Sequence, residues 1–145
     1  MAKRKHGFYW HVHHEELMEY CYDYDERVDY ICHRKPAHEV EPRLRLMHPV
    51  RGKLPEALIK AAAAYYEAQA AYQKAETGRA KAWAAYEAPA AWENARAAFD
   101  KAWAAWENAR AAFEKALRAH MPEIEALHAQ ECPNCPWDGK YIHFE

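Results

Sequence analysis

The chain has 145 residues, of which 51% are hydrophobic and 29% charged, with a formal net charge of −2. That length suits a single folded unit, and the near-neutral balance excludes capture by nucleic acid or anionic lipid through global charge, so any electrostatic partner must meet a local patch. Neither half departs from it: residues 1–54 carry ten Lys and Arg against nine acids, and residues 55–130 carry nine against ten.

The opening MAKRKHGFYWHVHHEE has a basic cluster without the apolar run of a secretory leader, and no stretch approaches the roughly 20 apolar residues of a membrane span. A cytoplasmic protein with no membrane partner is expected. There, Cys21, Cys32, Cys132 and Cys135 serve as thiols or metal ligands rather than disulfides. Phe8 to Val12 reads as a short strand. Glu15 to Arg34 reads as a helix, because Leu17, Cys21, Tyr24, Val28, Ile31 and Cys32 fall on one face and Pro36 follows as a stop. Cys21 and Cys32 read as small hydrophobes on that face; if they are ligands instead, the metal site is made of thiolates alone. Arg43, Leu44, Arg45 and Leu46 alternate, so Arg43 to Met47 reads as a second strand, and Lys140 to Phe144 as a third. Residues 1–54 and 131–145 thus build a small α+β head from both ends of the sequence.

Residues 55–130 are different in kind. AAWENARAAFDKAW (Ala90 to Trp103) is followed by the near-duplicate AAWENARAAFEKAL (Ala104 to Leu117), and an aromatic recurs at Tyr65, Tyr72, Tyr86, Trp92, Phe99, Trp106 and Phe113. A seven-residue period is two helical turns, so the rings form one seam. With the ring at heptad position a, Ala95, Ala102, Ala109 and Ala116 fall at d, and Ala98, Ala105, Ala112 and Ala119 at g. Glu93 with Arg96, Glu107 with Arg110 and Glu114 with Arg118 lie on the outer flank, where each pair adds only tenths of a kcal/mol. The register slips between Tyr86 and Trp92, where Pro89 intervenes. Proline disfavours helix at the residue before it, so the chain is expected to turn there, with Gly78 as the rival break. A turn near Ala88 gives two matched arms. The fold class expected is therefore mainly α: a long Ala/aromatic helical hairpin, an antiparallel coiled coil with its tip between 77 and 90 and its second arm running to Gln130, on the small α+β head.

ECPNCPWDGK (131–140) supplies half of a metal site. Zinc takes four tetrahedral ligands from Cys and His, and a CPNC turn can present two thiolates. The motif resembles the knuckle of zinc ribbons and rubredoxin-like sites over about ten residues, and that resemblance implies Cys132 and Cys135 as ligands; Gly139 comes later than in those knuckles, and there is no second CxxC. A redox pair would need the βαβ context this chain lacks. For the other half, His128 lies one helical turn before Cys132, His11, His13 and His14 cluster in WHVHH, and His143 would close a local site. The set expected is Cys132, Cys135, His128 and His13 around a structural zinc, with the N-terminal histidine tying the two ends of the chain together.

Three functions compete. A metal-dependent hydrolase would use His11, His13 and His14 with Asp25 and Asp29, but Met18 stands where HExxH needs its second histidine. A nucleic-acid-binding zinc protein would use Lys3, Arg4, Lys5, Arg34, Lys35, Arg43, Arg45, Arg51 and Lys53 with Tyr9, Trp10 and Trp137. A non-enzymatic interaction or assembly module would use the coiled coil to bind a protein partner or a second copy, and it is the reading preferred. WHVHH, DYDERVDYI, RLRL and CPNCPWDGK also resemble small uncharacterised proteins of phages and prophages, which implies a class and no activity.

Overall fold

The computed structural model describes residues 6–85 and 89–144. The order is β1 (Gly7–Trp10), β2 (Met18–Cys21), α1 (Tyr24–Arg34), α2 (Ala37–Leu46), α3 (Glu56–Ala85), α4 (Pro89–Ala119) and α5 (Met121–Glu131). Two compact units result: residues 1–53 with 125–145, and residues 54–124.

In the first unit β1 and β2 pair antiparallel, Gly7 opposite Cys21 and Trp10 opposite Met18. The expected helix over Glu15 to Arg34 is corrected here, since its first part is β2 and only α1 is helical. Leu17 and Cys21 stand four apart, an even number, so they share a face in a strand as readily as in a helix. Asp23 marks the true start. Its extended backbone (φ −143°) and side chain, which accepts from the Glu26 N–H at 3.0 Å, cap α1, while Asp25 and Glu26 favour the positive end of the helix. Asp23→Ala is expected to lower stability by about 1 kcal/mol in a denaturant melt.

The strand expected at Arg43 to Met47 is also corrected: the segment closes α2. Alternation in sequence yields here to pairs at i, i+4, with Glu39 holding Arg43 at 2.7 Å and Glu41 facing Arg45 at 3.7 Å. Pro36 does end α1, and it opens α2 as its N-cap. The strand expected at Lys140 to Phe144 is reduced to one antiparallel bridge, Trp137 with Ile142. β1 stops before Val12 because His11 is left-handed (φ 53°). Tyr9, Val12, Cys21, Ile31 and Met47 form one buried cluster, and Leu46, Cys132 and Ile142 a second. Cys21 is thus a buried hydrophobe, as expected, whereas Cys32 is exposed.

In the second unit α3 and α4 pack together as a hairpin. The ring pairs Tyr65–Phe113 (5.6 Å), Tyr72–Trp106 (5.4 Å) and Trp83–Trp92 (5.1 Å) run in opposite orders along the chain, which makes the helices antiparallel. Gly78 lies inside α3 and is not the break, and α4 opens on Pro89. Proline suits a first helical turn because its missing N–H would have no partner there. Tyr86 and the connection 86–88 lie outside the described residues. Partial burial follows the heptad: Tyr65, Tyr72 and Arg79 at a and Ala68, Ala75 and Ala82 at d in α3, with Trp92, Phe99, Trp106 and Phe113 at a and Ala95, Ala102, Ala109 and Ala116 at d in α4. Arg79 fills the place of a ring, lying 3.8 Å over Phe99. The g alanines Ala98, Ala105, Ala112 and Ala119 are exposed. The second arm stops short of Gln130, because the helix breaks at His120 before α5. Pro122, which has no N–H to offer the carbonyl four residues back, sits in the first turn of α5. Among the described residues no helix is long and apolar enough to cross a membrane.

Candidate metal centre

His11 is brought in by the end of β1. Trp10 donates its backbone N–H to the His48 carbonyl at 2.9 Å, and His11 donates its own to the Leu17 carbonyl at 3.1 Å. The left-handed turn at His11 then directs its ring inward, where it is 4% exposed. From the other end of the sequence come His128, in the last turn of α5, and Cys132, whose N–H donates to the His128 carbonyl at 2.8 Å. The CPNC turn depends on Asn134, left-handed at φ 58°, a conformation asparagine tolerates better than most residues. It carries Cys135 back over the site.

The Nε2 atoms of His11 and His128 lie 2.9 Å apart, the Cys135 Sγ is 3.1 Å from the His11 Nε2, and all four candidate ligand atoms, Cys132 included, fall within 4.8 Å of one another. A tetrahedral zinc with bonds of about 2.0–2.3 Å would space its ligands about 3.3–3.8 Å apart, so these four can hold a metal ion after small adjustments. The chemistry fits as well. Burial, then His128 and then His48, lowers the His11 pKa to about 4, with the Glu16 backbone opposing. Burial likewise depresses that of His128. Both rings are therefore neutral near pH 7, as ligation requires. Burial and then the neighbouring Cys135 push the Cys132 thiol up, a cost that a cation between the two sulfurs would remove.

A well-made scaffold surrounds the four. Glu131 accepts from the backbone N–H of Arg51 (2.7 Å) and Gly52 (2.8 Å) and from the Trp10 indole (3.3 Å). These bonds outweigh the burial of its carboxyl and hold the pKa below the usual range. Gly52 leaves room here: a Cβ would press on the Leu127 side chain and lie 2.9 Å from a Glu131 oxygen, so both side-chain ends would have to shift. Gly52→Ala is expected to cost about 1–3 kcal/mol, read as a lowered unfolding midpoint. Beyond the knuckle, Asp138 accepts from the backbone N–H groups of Lys140 and Tyr141, both at 2.8 Å, and the Ile142 N–H reaches the His14 carbonyl at 2.8 Å.

Three of the four residues expected around a metal, Cys132, Cys135 and His128, come together, and the fourth member of the cluster is His11. His13 stands apart, half-exposed, with its Nδ1 2.7 Å from Glu19. His14 faces Glu15 at 3.5 Å and His143 faces Asp138 at 2.6 Å. The signal for His11 was its neighbours, since Trp10 and Val12 flank it with apolar bulk while acids follow His14.

Some of the groups named for other chemistries are engaged elsewhere, while Asp25, Arg34, Arg51 and Lys53 are exposed. Tyr9 and Trp10 are buried, Arg43 is 7% exposed against Glu39, and Asp29 faces His33 at 3.2 Å. Lys3, Arg4 and Lys5 lie outside the described residues. No family model, curated protein or solved structure matches the chain, so the site is read from its own geometry.

Proposed function

We propose that this protein is a non-enzymatic interaction or assembly module, with a head stapled by a structural zinc and a coiled-coil hairpin that presents a binding surface to protein. The observation that carries the reading is the convergence of His11, His128, Cys132 and Cys135. Four protein ligands of this kind close a tetrahedral site, whereas a catalytic zinc keeps one position open. Zinc is favoured by the donor set, two imidazoles and two thiols. The interaction half of the reading rests on the hairpin, in which no described residue from Ala63 to Ala119 is buried. Helical arms that bury nothing over most of their length suit a surface that works by being covered.

Elemental analysis and cobalt substitution test the staple. One zinc per chain is expected. The cobalt form should show thiolate-to-metal absorption that His11→Ala perturbs and His13→Ala leaves unchanged. The opposite pattern would return the fourth place to His13, and a metal-free, fully folded protein would remove the staple altogether.

A further inference from the structure

The hairpin has two unlike faces, one on each side of the valley between α3 and α4. Rings at a, with Trp83 and Trp103 at e, occupy one side, and Trp83 and Trp103 are 61% and 44% exposed. On the other side an open, apolar groove of about 520 Å³ is lined chiefly by Ala71, Ala75, Gly78, Ala98, Ala102 and Ala105. Lys74 and Lys101 also line it.

Two further features say what covers this groove. Gly78 is the first. A glycine inside a helix costs about 0.5–1 kcal/mol relative to alanine, and a Cβ here would meet nothing within 4 Å, so nothing within the hairpin calls for it. What its missing side chain does provide is a gap in the groove wall where a bulky group can approach the backbone. The second is charge. The heptad row on the groove side, position c, is basic or neutral through Lys74, Lys81, Asn94, Lys101, Asn108 and Lys115, with Glu67 as its one acid among these. The row flanking the rings, position b of α4, is acidic throughout: Glu93, Asp100, Glu107 and Glu114. Two bases at e share that side, Arg96 and Arg110, the latter committed to Glu107 at 3.3 Å and to the Trp106 ring at 5.3 Å, so the four acids outnumber them. An exposed aromatic ridge with an acidic flank matches an alanine groove with a lysine rim in shape and in sign.

Deepening the reading of the hairpin as an interaction surface, we propose that the alanine groove is the docking site for the aromatic face of a second copy of this chain. Groove and ridge are different surfaces on opposite sides of one hairpin. The contact is therefore heterologous and repeats: each copy covers one neighbour and is covered by another, so copies stack instead of closing as a dimer.

Sedimentation velocity of the full, metal-loaded chain from about 1 to about 100 μM tests this, with a weight-average mass expected to climb past that of two chains. Lys74→Glu with Lys101→Glu sets acids against acids, and Asp100→Lys with Glu107→Lys sets bases against bases. Each double variant should associate at least about tenfold more weakly, with its helical circular dichroism intact. Mixing the two should restore growth, because each variant's groove then opposes a complementary ridge. Gly78→Leu should fill the groove and abolish stacking while the helix is retained. A wild-type mass that stays at one chain, growth unaffected by the charge reversals, or a mixture that fails to recover would each overturn the proposal. Zinc content and the chelator response, measured on the same samples, report on the staple independently. A single-chain, zinc-loaded protein would sink the stacking and leave the stapled head standing.

Discussion

Chelation of the metal is expected to abolish the cooperative unfolding of the first unit while much of the helical signal from α3 and α4 persists. Structural zinc contributes on the order of 10–16 kcal/mol of apparent binding free energy in small domains, as much as or more than the whole stability of a typical fold. Here the candidate ligands span the sequence from His11 to Cys135, and among the described residues the sheet has two strands. Without the ion, two neutral histidines and two thiols, that of Cys132 buried, crowd one another within the scaffold. His11→Ala and Cys135→Ser should each reproduce the loss in zinc-replete buffer, and added zinc should restore the transition only in the wild type. A transition that survives chelation unchanged would show that packing alone holds the head.

Trp10→Ala should have the next largest effect, about 3–5 kcal/mol, seen as a lower denaturant midpoint. Trp10 is 0% exposed, its ring centroid lies 5.1 Å from that of His128, and its indole N–H bonds Glu131. Truncation would open a cavity and also remove the ring that packs against His128, a candidate ligand. Trp10→Phe separates the two consequences: most of the volume stays, the hydrogen bond goes, and the loss should fall to about 1–3 kcal/mol. Equal losses for both variants would mean that the hydrogen bond, not the volume, carries the effect.

How far the amino-acid order disclosed this fold depended on whether a pattern had one structural solution. A ring every seven residues over two arms has one, and the hairpin, whose second helix opens on Pro89, follows from it. Four-residue spacing has two solutions, which is why Leu17 and Cys21 could be placed on a helix although they flank and close β2. The alternation at Arg43 to Leu46 misled for another reason. It ignored Glu39 and Glu41, each four residues before an arginine, whose ion pairs belong to a helix. At the metal centre, the thiols and His128 were legible because they sit within eight residues of one another. The remote ligand was not. The apolar flanks Trp10 and Val12 were the one local hint for His11 over His13, and they do not encode the left-handed backbone that turns its ring inward.

The two stretches that make the first unit are parted by residues 54–124, and this imposes an order on biosynthesis. As the ribosome extends the chain, the cluster of Tyr9, Ile31 and Met47 emerges early, while Leu46 waits for Cys132 and Ile142, which appear only after both long helices. During that interval His11 has none of its candidate partners, and the early segment remains open to chaperones or to proteolysis. Completion of this unit would then wait for one late event, in which the knuckle arrives and, on the metal reading proposed, an ion locks the two stretches together.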